Sequence, residues 1–279
     1  MMGLKVIILC AGYATRLYPL TENMPKPLLL VGNKPILEWI LERVQKVQGV
    51  EAVCLVSNQK FTGHFETWAA LKSGALTSTA KDAEPCSGGR AAKMKYPWPV
   101  EVVNDHTTSN ETRLGAIGDL AYVIKTKKVS PCDLLVIAGD NFFDFDLVSF
   151  VNFGTKKRPH GVIAVYDVGD KELAKRYGLV RVDAEGKILE FQEKPPQPTT
   201  TLASSGIYWL PQETWSLLDR YITSGHNTDQ PGHYMRWLAE TSGLFAFSLK
   251  GKWLDIGDLD SYKKANAIVN TPTNPKESL

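Results

Sequence analysis

The sequence predicts an α/β fold: a mixed, mostly parallel sheet flanked by helices on both faces, with a smaller α+β lobe in its second half. Three observations carry this. Short, apolar, β-branched runs recur at residues 4–10, 52–57, 100–104, 133–140 and 161–168 ("LKVIILC", "AVCLVS", "VEVVN", "DLLVIAGD", "GVIAVYDV"). Stretches with helical spacing lie between them. After Gly178 the texture changes to strictly alternating strands. At 279 residues and 43% hydrophobic content, the chain can bury a sizeable core, and it reads as one domain over 1–270 with a frayed tail at 271–279.

The first run ends in "AGYATRLYPLTENMPKP". A strand that gives way to small residues lets backbone N–H groups converge on an anion, so Ala11, Gly12, Tyr13, Ala14 and Thr15 form a candidate phosphate loop. Gly12 is the position where a side chain would obstruct most. Arg16 adds a fork of donors and Lys26 a compact charge; two cations reaching one anion imply a polyphosphate. Pro25 and Pro27 hold the backbone on either side of Lys26. Neither GxxxxGK[ST] nor GxGxxG is present, which excludes a P-loop and weakens a dinucleotide reading.

Next, "NKPILEWILERVQKV" predicts a helix with Pro35 at its first position and Ile36, Leu37, Ile40, Leu41 and Val44 on one apolar face. Residues 71–99 show no sustained period and read as a loop insertion, within which "SGGR" is a weak phosphate candidate. Asn104 ends a strand, where it serves either a turn or a base contact. A helix is expected from about Leu114, with Gly115 at its start and lysines complementing the negative end of its dipole. Asp140 lies just past an apolar strand, where α/β folds place ligand chemistry. With Asp255 near the carboxyl end it offers two hard oxygen ligands suited to Mg2+. Residues 178–195 read as a β-hairpin turning at Ala184–Lys187. The hairpin's second strand ends in Glu193 and Lys194, a carboxylate for hydroxyl groups beside an ammonium for a phosphate. The strand "SSGIYWL", a helix near "PQETWSLLDRYI" and the closing "WLDIGDLDSYKKANAIV" complete the series.

Charge and cysteine usage narrow the function. The 32 basic and 30 acidic residues are dispersed, without a basic block for nucleic acid or an acidic membrane. No apolar run approaches the ~20 residues of a membrane span, and no leader pattern opens the chain. Cys10, Cys54, Cys86 and Cys132 form no CxxC pair, and the five histidines form no zinc spacing. A cytoplasmic protein with reduced cysteines is expected. No nucleophilic triad is evident.

The opening motif resembles the G-x-G-T-R-(L)-(x)-P-(x)n-P-K signature of the sugar-phosphate nucleotidyltransferases, the family that includes glucose-1-phosphate thymidylyltransferase. "AGDNFF" is similar to the family's GDN segment, "FQEKPP" to its EKP segment, "RYGLV" to its Tyr-Gly element, and "WLDIGD" to its closing W-x-D-x-G motif. The resemblance implies a Rossmann-like nucleotide-binding fold with a sugar-binding lobe, and transfer of a nucleotidyl group to a sugar 1-phosphate with release of pyrophosphate. It implies catalytic roles for Arg16, Lys26 and Lys194, Mg2+ on Asp140 and Asp255, and a sugar site made by Tyr177, Gly178, Glu193, Lys194, Ser205 and Gly206. It also places Asn104 and Gly115 on the nucleotide side, and dTTP or UTP with glucose 1-phosphate is the favoured pair. Relatives often form dimers or tetramers. The chain departs from the pattern in having Ala14 at the second glycine of the opening motif and Thr112 where a base-reading segment has glycine. Because it stops after this region, without the left-handed β-helix of some relatives, a monofunctional transferase is expected.

Three rivals remain. A cytidylyltransferase for phosphocholine or another small phosphate shares the P-K-P-L opening. A glycosyltransferase would need a DxD triad, for which Asp144–Asp146 ("DFD") is the nearest candidate. A non-catalytic nucleotide-sugar-binding protein would tolerate the departures at Ala14 and Thr112.

Overall fold

In a computed structural model that describes residues 3–73, 96–129 and 131–270, the apolar runs become strands of one mixed sheet. The strands are β1 (Gly3–Leu9), β2 (Leu30–Val31), β3 (Lys34–Pro35), β4 (Val50–Ser57), β5 (Val100–Asn104), β6 (Cys132–Ala138), β7 (Asn141–Phe143), β8 (Gly161–Asp167), β9 (Gly178–Val182), β10 (Ile188–Glu193), β11 (Leu202–Leu210), β12 (Leu244–Ser248) and β13 (Trp253–Asp255). The helices are α1 (Ile36–Val44), α2 (Thr62–Ser73), α3 (Gly115–Thr126), α4 (Leu147–Lys157), α5 (Lys171–Ala174), α6 (Gln212–Trp215), α7 (Leu218–Thr223), α8 (Pro231–Thr241) and α9 (Leu259–Asn270).

Strands β6, β1, β4 and β5 lie side by side and parallel. Their register aligns the carboxyl ends: Leu9 faces both Val56 and Ala138, and Ser57 faces Asn104. Whatever follows each strand therefore emerges on one edge. The chain moves from β1 outward to β4 and β5, then returns to β6 on β1's other side, which makes the β1–β6 boundary the point where α/β sheets open a ligand crevice.

Strand β11 joins this parallel half to the rest. It runs antiparallel to β6 over Ile207–Leu210, but near its start its neighbour on that side is β9, through Ala203 and Leu179. Its other edge pairs with β8 over Leu202–Ser204 and again at Tyr208 and Trp209, and the register slips between Ser204 and Tyr208. An irregularity of this kind bends a strand and re-aims its side chains. The hairpin β9–β10 thus extends the same sheet, and its turn closes at Gly186 (φ 79°) as the sequence predicts.

The expected helix after residue 33 forms, but Pro35 lies just outside it. The Pro35 backbone pairs with Leu30 in a two-residue ribbon, so the helix begins at Ile36. All five of its expected apolar positions are buried. Segment 71–99 is less loop-like than its composition indicates at its ends. Leu71–Ser73 finish α2, and Tyr96 stacks on buried Trp98. The "SGGR" stretch, Cys86 and the tail at 271–279 lie outside the described residues. Cys10, Cys54 and Cys132 are free and buried, as small core residues. No helix among the described residues is long and apolar enough to cross a membrane.

Gly154 shows how closely α4 seats on the sheet. A methyl group there would stand 2.5 Å from the indole of Trp209, which is 1% exposed and has no room to move. Helix propensity alone would make Gly154→Ala stabilising by about 1 kcal/mol. Overpacking, at about 1–3 kcal/mol, opposes this and should win. Urea denaturation should show a lower midpoint for the variant; a higher midpoint would contradict the packing described.

Candidate active site

A cleft of about 430 Å3 opens where β11 leaves β6 for β9. Arg16, Asp140, Tyr177, Gly178, Glu193, Lys194, Ser205, Gly206 and Asp255 all line it, so nine of the residues expected from sequence meet in one place. Lys26 reaches the same site through Asp140.

The candidate phosphate loop leaves β1 and is pinned from three sides. Cys10 N donates to Val56 O at 2.8 Å, Asn58 Nδ2 to Ala11 O at 2.8 Å, and the Tyr13 hydroxyl to Thr107 O at 3.1 Å. Gly12 is exposed, and a Cβ there would meet nothing within 4 Å. Its value lies in leaving the backbone uncovered rather than in relieving a clash. The demanding position is Ala14, which adopts the left-handed conformation (φ 49°, ψ 40°) that glycine takes more easily. Its carbonyl accepts from Thr21 Oγ1 at 2.7 Å and from Leu17 N at 3.0 Å, which holds the turn in place. The departure from the family pattern is thus absorbed as local backbone strain. Thr15 and Arg16 follow, both exposed.

Lys26 sits between buried Pro25 and Pro27. Its ammonium donates to Asp140 Oδ2 at 2.8 Å and to Ile256 O at 2.9 Å. Asp140 and Asp255 are neighbours through the backbone: Ile256 N donates to Asp140 O, and Asp255 pairs with Asn141 between β13 and β7. Burial, then the charge of Asp140, push the Asp255 carboxyl above the usual range, against the pull of Lys26, Arg16 and Arg176. Two carboxylates crowded in this way suit a hard divalent cation. No cluster of three or more His, Cys, Asp or Glu occurs among the described residues, so such an ion would draw the rest of its shell from phosphate oxygens and water.

On the other wall, Glu193 is enclosed by two glycines. A Cβ at Gly232 would fall 1.8 Å from Glu193 Oε2, and one at Gly178 would fall 2.9 Å from it. Burial raises the Glu193 carboxyl, while Lys194 and His233 pull it down. Lys194 is half-exposed and holds a positive φ of 45°. The irregular part of β11 is fixed by Asn141, which donates from Nδ2 to Ser205 O at 2.8 Å and accepts at Oδ1 from Trp253 Nε1 at 2.9 Å. Gly206 (φ 74°) lies against Asn141 Nδ2 and Ala138, where a Cβ would stand 3.1 Å from each.

Some sequence expectations are redirected. The Ser205 hydroxyl is turned away and donates to Ala164 O at 2.8 Å, so this residue presents backbone to the cleft. Asn104 uses its amide in a turn, donating to Gln59 Oε1 and accepting from His106 N, and it lies outside this cleft. Gly115 lies at the start of α3, outside this cleft; its φ of 79° and the close approach of Asp229 Cα, 2.3 Å from a built Cβ, account for the glycine. Asp146 caps α4 through Val148 N and Ser149 N, and Asp144 accepts from Lys252 N, so the "DFD" run is structural. Asp258 caps α9 through Ser261. Sequence reasoning missed Arg176, Asn141, Ser204, Tyr208, Trp253, Pro231 and Gly232 as lining residues. Arg176, Asn141, Ser204, Tyr208 and Trp253 stand inside the quoted motifs, within two residues of expected site residues; Pro231 and Gly232 carry no sequence signal.

A model of the nucleotidyl transferase family matches residues 5–271. The chain belongs to this family. Among its relatives, the bifunctional protein GlmU of Methanococcus aeolicus is 28% identical over 91% of this chain and 51% of its own length. The UTP–glucose-1-phosphate uridylyltransferase of a Synechocystis species is 28% identical over 94% of this chain and 62% of its own length. This chain therefore spans roughly half to two thirds of these relatives. A UDP-glucose pyrophosphorylase solved with UDP-glucose has the same fold, with a TM-score of 0.75 at 21% identity over 96% of this chain and 98% of that one.

Behind the phosphate loop, the fold of this family member buries a carboxyl pair. Asp105 accepts from Thr107 N and Oγ1, and Asp119 of α3 is buried close to it with its Oδ1 unpartnered, a setting that favours a proton on Asp119. Burial, then the Asp105 charge, raise the Asp119 carboxyl to about 8. A folded state that keeps this proton binds more protons than the unfolded chain between the ordinary aspartate value, about 4, and the raised one, so its stability falls as pH rises through that window. Asp119→Asn cannot ionise. Urea titrations from pH 5 to 8 should show a smaller loss of stability in this variant than in wild type, and parallel profiles would contradict the assignment.

Proposed function

We propose that the protein is an enzyme that joins a nucleoside triphosphate to a sugar 1-phosphate and releases pyrophosphate. The observation that carries this reading is the meeting, in one cleft, of Arg16 at the end of the candidate phosphate loop, a carboxylate pair tied to Lys26, and a carboxylate–ammonium pair from a separate part of the chain. An oxygen of the sugar phosphate forms a bond to the α-phosphorus as the bond from that phosphorus to the pyrophosphate oxygen breaks. The attacking group is already anionic, so no protein nucleophile is required.

Catalysis then rests on position and charge. The uncovered backbone at Gly12 and the Arg16 fork receive the triphosphate. Lys26, released from Asp140 as phosphate oxygens approach, offsets charge on the departing pyrophosphate. Lys194 holds the attacking phosphate, and Glu193, kept in place by Gly178 and Gly232, accepts from sugar hydroxyls. Asp140 and Asp255 would hold Mg2+, which neutralises phosphate charge and orients the triphosphate. The likeness to a uridylyltransferase for glucose 1-phosphate supports UTP, or its close analogue dTTP, with glucose 1-phosphate as the pair to test first.

The test is pyrophosphate release with Mg2+ across five nucleoside triphosphates and a set of hexose 1-phosphates, with phosphocholine included. One strong, metal-dependent combination is expected with a sugar; activity only with phosphocholine and CTP would replace this reading. In that assay Lys26→Ala and Asp140→Ala should each lower kcat by roughly 100-fold or more, the scale of losing one electrostatic stabiliser. Near wild-type turnover in a folded variant would refute that residue's role.

A further inference from the structure

Two anions must share this cleft, and its walls already carry Asp140, Asp255 and Glu193. Among the described residues the lining cations are Arg16, Arg176 and Lys194. Arg16 belongs to the phosphate loop, and Lys26 is tied to Asp140 and Ile256. Lys194 alone is a loose holder for a dianionic phosphate: its side chain is 51% exposed, and its ion pair, at 3.7 Å, is with the adjacent Glu193.

Arg176 is placed differently. It follows α5 in a turn closed by its own N–H on Leu173 O at 3.1 Å, and it immediately precedes Tyr177 and Gly178 of the sugar wall. Its Nη2 donates to Asp258 Oδ2 at 2.6 Å. Asp258 is itself immobilised, since Ser261 N and Ser261 Oγ donate to its Oδ1 at 2.8 and 2.7 Å. A guanidinium held by one Nη leaves its other N–H groups to the cleft it lines, in a planar geometry that matches phosphate oxygens. The ordering of the long side chain is thus accomplished before substrate arrives.

We propose that Arg176 is a second anchor for the phosphate of the sugar 1-phosphate, acting with Lys194 and positioned by Asp258. This rests on the transferase reading above. Arg176 adjoins Tyr177 and Lys194 adjoins Glu193 in the chain, and all four line the same cleft, so the phosphate is met by two cations from separate segments of its wall. The competing role is a structural one, in which Arg176 only fastens the α5 turn to the start of α9 or supports Asp255.

The experiment compares wild type, Arg176→Lys, Arg176→Ala and Asp258→Asn in three readouts: the KM of each substrate, calorimetric binding of glucose 1-phosphate and inorganic phosphate, and the urea midpoint. Losing a charge-assisted bond should raise the sugar 1-phosphate KM by about 10- to 100-fold in Arg176→Lys, and further in Arg176→Ala. Phosphate affinity should fall in parallel, with the nucleotide KM moving by no more than about twofold. Asp258→Asn should give a smaller rise of the same kind. Unchanged phosphate affinity with a lowered urea midpoint would overturn the proposal in favour of a structural tie. Equal loss of nucleotide and sugar phosphate affinity, with a higher Mg2+ requirement, would overturn it in favour of an effect through Asp255. Absence of pyrophosphate release by wild type with every substrate pair would instead remove the transferase reading on which it stands.

Discussion

The ammonium of Lys26 joins three segments that are far apart in sequence. It bonds to Asp140, 114 residues away, and to the carbonyl of Ile256, 230 residues away. Without it, Asp140 and Asp255 would face each other across a partly dry cleft with much less compensating charge, an arrangement whose cost rises steeply as water is excluded. The tie therefore does two things. It closes the segment after β1, the turn after β6 and the carboxyl-terminal ribbon onto one point, and it keeps a cation beside the carboxylate pair.

The remaining geometry is built to keep that point open on one side. Parallel strands with aligned ends deliver the phosphate loop and Asp140 to the same edge, and β11 changes neighbours there, which leaves a gap in the sheet rather than a filled core. Asn141 is the brace of this gap, bonding at once to the irregular turn of β11 and to Trp253. Glycines at 178, 206 and 232 let neighbouring elements approach more closely than any side chain would allow. Strain is accepted in the same neighbourhood, at Ala14 and Lys194, both with positive φ. Such residues persist where surrounding contacts over-determine them, and they gather at sites of function.

Much of this was legible in the sequence because the relevant signals are local. A β-branched run that stops at small residues, a lysine between prolines and aspartates just beyond apolar strands each mark, within a few positions, side chains that the fold brings to one site. What was not legible depends on distant partners. That Ser205 would turn its hydroxyl to Ala164, that Asn104 would spend its amide on Gln59, and that Gly232 would sit against Glu193 are consequences of how β8, β4 and α8 pack, and no period or motif encodes them. Pro35 illustrates the same limit at small scale: its fixed φ suits the first turn of a helix, but pairing with Leu30 claimed its backbone one residue earlier.

The most direct test is a crystal structure with Mg2+ and an α,β-methylene nucleoside triphosphate, which cannot release pyrophosphate. The triphosphate should lie over Gly12–Arg16, with the Lys26 ammonium moved from Asp140 onto a phosphate oxygen. A triphosphate bound elsewhere, with the Lys26–Asp140 pair intact and no phosphate beside Arg16, would contradict it.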